Sequence, residues 1–193
     1  MLMTLTDPQL MALLNGRFSP PPITAAAHSP TFRLAQPDDR EALLALSDGS
    51  LTPYQFRQHM VQLLKWQAQQ RCCWLVIEDV DGSLLGSGQL IHYPHGAELA
   101  NLSVAPAWRG QGWGSKLIGL LTAVAHHWQI PYLEIVVDEA NPRALALYQR
   151  LGFVEDRRLF LPDGRTAIIL GQEITNYECT YTDLRGLHYE SWQ

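Results

Sequence analysis

The sequence predicts a mixed α/β protein, on three observations. Short runs rich in β-branched and aromatic residues alternate with segments whose apolar residues recur at helical spacing. The early runs are joined by tight turns, as in hairpins, and the later ones by helices. Asp81-Gly82, set between two apolar runs, is the clearest of those turns.

The elements follow in order. Asp7-Pro8, then QLMALL, then Asn15-Gly16 read as a short helix with an N-cap, a proline in the first turn and a glycine stop. Residues 18–30 hold four prolines and read as a linker, so 1–30 is a helix-and-linker appendage and a compact unit starts at Thr31. Residues 32–35 are a short strand. Pro37-Asp38-Asp39 opens a helix to about Leu46. A second helix runs from Pro53 to about Gln69, with Phe56, Met60, Leu63 and Leu64 at helical spacing. Strands follow at 73–77 and 84–93, and another at 98–104. A helix spans 112–128, a buried strand 132–137 and a helix 141–151. Residues 154–161 and 166–170 form a last hairpin around Pro162-Asp163-Gly164. The tail 172–193 carries Tyr177, Tyr181, Tyr189 and Trp192, too aromatic for a free solvated tail; it covers the sheet edge, lines a cleft or joins a homodimer.

Composition narrows the function classes. The chain has 193 residues, 47% hydrophobic, enough for one sizeable core. The net charge of −5 argues against nucleic acid and mildly favours a cationic or neutral ligand. Cys72, Cys73 and Cys179 are odd in number and form no CxxC, so neither a disulfide framework nor a zinc site is expected, and a reducing cytoplasm fits. The N-terminus does not read as a secretion signal. The most apolar helical stretch, 117–125, is far short of the roughly 20 residues of a membrane span.

The stretch RGQGWGSK, residues 109–116, puts three glycines and two cations where a strand hands over to a helix. Glycines let the backbone approach a ligand, and free N–H groups at a helix start bind an anion. Arg109 and Lys116 add charge in the same sense. The spacing fits neither a P-loop nor a dinucleotide fingerprint.

Arg109-x-x-Gly112-x-Gly114 resembles the R/Q-x-x-G-x-G/A signature of the GNAT superfamily of N-acetyltransferases. Val104-Ala105-Pro106 precedes it at the family's spacing. NPRALALYQRLGF, residues 141–153, resembles the family's N-x-x-A-x-x-L-Y-x-x-x-G-F segment, and FRLAQPDDREALLAL its opening strand and helix. The resemblance covers about residues 31–171. It implies a mixed, mostly antiparallel sheet, flanked by helices and splayed into a V at an acetyl-CoA site. It also implies transfer of the acetyl group to a primary amine within a ternary complex.

By the same resemblance, the amides of Arg109, Gly110, Gln111, Gly112, Trp113, Gly114 and Ser115 cradle the CoA pyrophosphate, and the main chain of Leu102, Ser103 and Val104 pairs with pantetheine. The Trp113 side chain has two readings, packed on the core or lining the cofactor edge. Tyr148 corresponds to the family's proton donor to the leaving thiolate; the other reading is a packing residue beside Leu147 and Phe153. Asn141 before Pro142 is a good N-cap, a role compatible with cofactor contact. Glu98 corresponds to a glutamate base of some members; sharing a strand face with Ala100 and Leu102, it would have a raised pKa, and the other reading is a solvated strand-end glutamate. His92, His95, Glu134 and Asp138 compete for that role, as does a water chain. His126-His127 point to different helix faces, so no metal is expected. Specificity is expected in 41–70 and 155–166. The alternative functions are a non-catalytic acyl-CoA-binding module of this fold and, more remotely, a nucleotide-binding protein.

Overall fold

The computed structural model describes residues 30–47 and 49–174. Along them the chain runs β1 (Thr31–Leu34), α1 (Arg40–Leu46), α2 (Pro53–Ala68), β2 (Cys72–Glu78), β3 (Leu84–Tyr93), β4 (Gly96–Val104), α3 (Trp113–His127), β5 (Tyr132–Asp138), α4 (Pro142–Arg150), β6 (Val154–Phe160) and β7 (Thr166–Glu173). Single 3-10 turns at Pro37–Asp39 and Pro106–Trp108 precede α1 and follow β4. The expected N-terminal helix, most of the linker, and the tail from residue 175 with its dimer contact lie outside the described residues.

The strands form one sheet in the order β1-β2-β3-β4-β5-β7-β6. Every neighbouring pair is antiparallel except β4 and β5. The sheet is therefore mixed and mostly antiparallel, with helices on both faces. Strand ends differ from expectation by a residue or two, and β7 runs three residues past Leu170.

Two apolar clusters sit on the two faces. Leu43 of α1 and Phe56, Met60 and Leu63 of α2 pack on Trp74, Val76 and Ile91. On the opposite face Leu117, Leu121 and Val124 of α3, with Tyr148 of α4, pack on Leu75, Leu90, Leu99 and Ile135. Each such buried side chain contributes about 1.5–3 kcal/mol relative to exposure. Helix α2 starts where the sequence supplies a reciprocal cap: the Thr52 hydroxyl accepts from the Gln55 amide at 3.3 Å, and the Gln55 side chain accepts from the Thr52 amide at 2.9 Å. Buried Gln67 ties this helix to the sheet, donating to the Ala35 carbonyl at 3.1 Å and accepting from the Trp74 amide at 3.0 Å. Arg33 fastens the opposite end. It donates to both Asp39 oxygens at 2.7 and 2.8 Å and to Glu78 at 2.7 Å, joining β1, the first turn and β2.

Candidate active site

Strands β4 and β5 stay together for only three positions, Ala97, Glu98 and Leu99 opposite Leu133, Glu134 and Ile135. Beyond Leu99 they part: β4 keeps to β3, and β5 keeps to β7. This is the expected V. A cleft of about 280 Å³ opens in it, and Glu98, Ala100, Leu102, Ile135, Val136 and Tyr148 are among its walls.

A bulge bends β4 at this point. The pairing with β3 steps from Ser87 opposite Ser103 to Gln89 opposite Ala100, so Asn101 and Leu102 together face Gly88. Asn101 takes φ +51°, a left-handed conformation that asparagine tolerates better than most residues. Its side-chain amide donates to the Gln89 carboxamide at 2.9 Å, and Gln89 is only 1% exposed. The bulge overturns one expectation. Leu102 does not share the face of Glu98 and Ala100: Ala100 packs with the α1–α2 cluster, Leu102 with the α3–α4 cluster. The extra residue breaks the period-two alternation on which that expectation rests. Glycine stands opposite: a β-carbon on Gly88 would lie 2.5 Å from Leu102 Cδ2, so the leucine tip would have to move to admit one.

Residues 109–116 lie past the end of β4. Gly110 and Gly112 have φ +80° and +85°, and Gly112 is the N-cap of α3. The first helical bond runs from the Lys116 amide to the Gly112 carbonyl. The amides of Gly110, Gln111, Gly112, Trp113, Gly114 and Ser115 have no acceptor among the described residues. A row of free N–H groups at the positive end of a 15-residue helix suits an anion. Arg109 is exposed and turned back to the end of β4, its Nε donating to the Val104 carbonyl at 2.8 Å. The Trp113 ring takes the core position of its two readings, with ring centres 6.1 Å from Phe32 and 6.3 Å from Trp108. The Lys116 ammonium sits 4.1 Å from the Trp113 ring centre, and burial lowers its pKa. Arg143 is an addition that the sequence does not signal. Its guanidinium lies 3.6 Å from where a β-carbon on Gly110 would stand, bringing the start of α4 to the loop.

The α4 cap is as expected: the Asn141 side chain accepts from the Ala144 amide at 3.1 Å. Two turns on, Tyr148 is 9% exposed and meets Phe153 edge-on at 6.5 Å. Its hydroxyl has no hydrogen-bond partner among the described residues, and burial raises its pKa, which keeps the phenol protonated. Glu98 enters the cleft from the α1–α2 side. Burial raises its pKa; the Tyr93 hydroxyl, donating at 3.4 Å, opposes the rise, and Glu134 alongside adds to it. Of the competing bases, Glu134 neighbours Glu98 across the strands. Asp138 is held by Arg165 at 3.1 Å, at the far end of β5. His92 lies opposite Ala97, and His95 in the β3–β4 turn, neither in the cleft. Among the described residues no group of three His, Cys, Asp or Glu side chains is placed to hold a metal ion, and no helix is long and apolar enough to cross a membrane.

The model of the Acetyltransferase (GNAT) family matches residues 38–153. The chain belongs to the GNAT family. Among its relatives, a mycothiol acetyltransferase of Acidimicrobium ferrooxidans is 31% identical over 141 residues, 66% of this chain and 44% of that protein. A spermidine N(1)-acetyltransferase of Vibrio cholerae is 33% identical over 100 residues, 47% of this chain and 56% of that protein. The GNAT chain thus spans about half the length, or less, of the curated relatives it matches. Among solved structures, a GNAT-family protein from Desulfovibrio desulfuricans aligns with TM-score 0.66 at 20% identity, over 75% of this chain and 99% of that one. The spermidine/spermine N-acetyltransferase of Vibrio cholerae aligns with TM-score 0.62 at 25% identity, over 75% and 92%. A further structure of the Vibrio enzyme, with TM-score 0.63 at 22% identity over 75% and 95%, is a complex with CoA and spermine.

Proposed function

We propose that this GNAT domain transfers the acetyl group of acetyl-CoA to a primary amine by direct attack. The observation that carries the reading is the cleft between β4 and β5, which has Glu98 and the buried phenol of Tyr148 in its walls. The free amides of residues 110–115 fit the pyrophosphate of the donor. The open edge of β4 after Leu99 suits the amides of pantetheine, through Leu102, Ser103 and Val104. The Vibrio structure that holds CoA and spermine supports the choice of donor.

An aliphatic amine has a pKa near 10.4 and arrives mostly protonated, so a proton must leave before attack. Glu98, with its raised pKa, accepts that proton, directly or through water. The amine nitrogen then bonds to the thioester carbonyl carbon, the C–S bond breaks, the sulfur leaves with the electron pair, and the nitrogen loses its second proton to solvent, as Glu98 does the one it accepted. Tyr148 donates its proton to that sulfur and regains one from solvent. The products are the N-acetyl amine and CoA thiol. Cytoplasmic residence belongs to the same proposal, supported by the free, buried thiols of Cys72 and Cys73.

The test is release of CoA thiol from acetyl-CoA by the purified chain over a panel of polyamines, amino acids, aminoglycosides and peptides, with the product mass read alongside. Spermidine heads the panel, since one relative is named for it. A product heavier than one amine by a single acetyl group is expected. Acetyl-CoA binding with no release across the panel would instead favour the non-catalytic acyl-CoA module.

A further inference from the structure

Glu98 and Glu134 occupy opposed positions of the parallel β4–β5 pair. Adjacent strands lie about 4.8 Å apart and their side chains at one level point to one face, so two carboxylates stand side by side. Such pairs are relieved by a proton or by a cation. Here the cation serves one partner only. Arg157 Nη1 and Nη2 donate to Oε1 and Oε2 of Glu134 at 3.0 and 3.2 Å. Glu98 has no cationic partner among the described residues and receives only the long contact from Tyr93.

Arg157 reaches Glu134 from beyond β7, and two features of the sheet allow it. The β7 residue opposite Glu134 is Gly171, which leaves room there for the Tyr132 ring and adds no side chain of its own between Glu134 and β6. Strand β6 is bulged between Glu155 and Arg157, which sets Arg157 opposite Ile169. Were β6 paired without the bulge, Asp156 would stand opposite Ile169 and Arg157 opposite Ile168, on the face buried against α3 and α4. The bidentate fork then fixes the Glu134 carboxylate in one orientation.

We propose that Glu134, pinned by Arg157 across β7, is a positioning residue for Glu98: a fixed neighbouring carboxylate that makes Glu98 the stronger proton acceptor in the cleft. The role in the reaction rests on the acetyl-transfer reading above, whereas the coupling between the carboxylates does not. Among the described residues, the other ionisable groups around Glu98 are Tyr93 of β3 and, across the cleft, Tyr148 of α4. Asp156 and Tyr132 stand by Arg157, Asp156 paired with it and the Tyr132 ring lying over Gly171. The raised pKa of Glu98 agrees with this geometry, burial contributing most and Glu134 adding to it.

The coupling is read without substrate, by carbon-13 NMR of the full chain labelled at glutamate Cδ. The Glu98 resonance is assigned by its loss in Glu98→Gln. Removing the neighbouring charge in Glu134→Gln should shift the Glu98 midpoint to lower pH. Removing the cation in Arg157→Gln should shift it to higher pH, and Arg157→Lys should restore it toward wild type. The acidic limb of kcat/KM, for any acceptor found, should move with the midpoint in each variant. An unmoved midpoint in Glu134→Gln, or shifts of the same sign in Glu134→Gln and Arg157→Gln, would overturn the proposal. Should Glu134→Gln not fold, Arg157→Gln against Arg157→Lys decides the matter through the sign of the first shift and its reversal in the second. Absence of acetyl transfer would leave these titrations unaffected, so the two readings fail separately.

Discussion

The side-chain amide of Asn101 donates to the buried carboxamide of Gln89 at 2.9 Å, across the bulge that turns β4 away from β5. This bond fixes a left-handed residue inside a strand, and the cleft opens beside it. Gln89→Met keeps the volume and removes the acceptor; Asn101 is exposed and its amide turns to water, so the change should cost the net worth of one hydrogen bond, about 0.5–1.5 kcal/mol, and weaken acetyl-CoA binding. Gly88→Ala should cost about 1–3 kcal/mol, because its β-carbon meets Leu102 at 2.5 Å. Chemical denaturation and calorimetric titration with acetyl-CoA check both; a Gly88→Ala variant as stable as wild type would show that the bulge is not held this way.

The glycine turn makes a narrower claim. A β-carbon on Gly112 would meet nothing within 4 Å, so Gly112→Ala acts through its φ of +85° alone. The left-handed conformation costs a non-glycine residue about 1–2 kcal/mol. The expected result is a folded protein whose Kd for acetyl-CoA, read by calorimetric titration, rises about tenfold, in line with that cost.

Replacement of Glu98 by Gln should slow transfer by about a hundredfold, the lower end of general-base effects, and abolish the acidic limb of the rate profile. In wild type that limb should lie above the usual glutamate range, because burial raises the Glu98 pKa. The stability sign is opposite to the activity sign. A carboxyl whose pKa is raised by folding favours the folded state at low pH, and this is lost as pH rises through the folded value. Glu98→Gln removes that loss, so the variant should melt higher than wild type at pH 7 and converge with it in acid.

Arg33 predicts the reverse pH sense. Burial pushes the Asp39 pKa up, but the Arg33 guanidinium and the Gln36 amide pull it lower on balance. A lowered carboxyl contributes stability above its unfolded value and loses it as pH falls through the folded one. Arg33→Met strands Asp39 and Glu78 and should cost roughly 2 kcal/mol at pH 7, below the 3–5 of fully buried pairs because Arg33 is a quarter exposed. Thermal melts at pH 7 and pH 3 should show the difference shrink in acid.

The parts legible in the sequence are those written locally. Pro53 and Asn141 announce helix starts, Asp81-Gly82 a hairpin, and Gly110 and Gly112 a left-handed loop, because each meets a backbone need within a few residues. Tyr148 and Glu98 are reached through resemblance, and the fold brings both to one cleft. The missed features are non-local. The bulge at Asn101 depends on Gly88 thirteen residues earlier and on Gln89, so alternation along β4 alone puts Leu102 on the wrong face. The Arg157–Glu134 pair spans 23 residues and needs the β6 bulge and Gly171, none visible in either strand by itself.

The most direct measurement of the central claim is acetyl-CoA binding and turnover in Tyr148→Phe beside wild type. Loss of the hydroxyl alone should cut turnover at least tenfold, within the range of general-acid effects, while the Kd for acetyl-CoA stays within about twofold, a change near 0.4 kcal/mol. Unchanged turnover in the variant would contradict the assignment of Tyr148, and a wild-type protein that binds acetyl-CoA but acetylates no amine in the panel would contradict the enzyme itself.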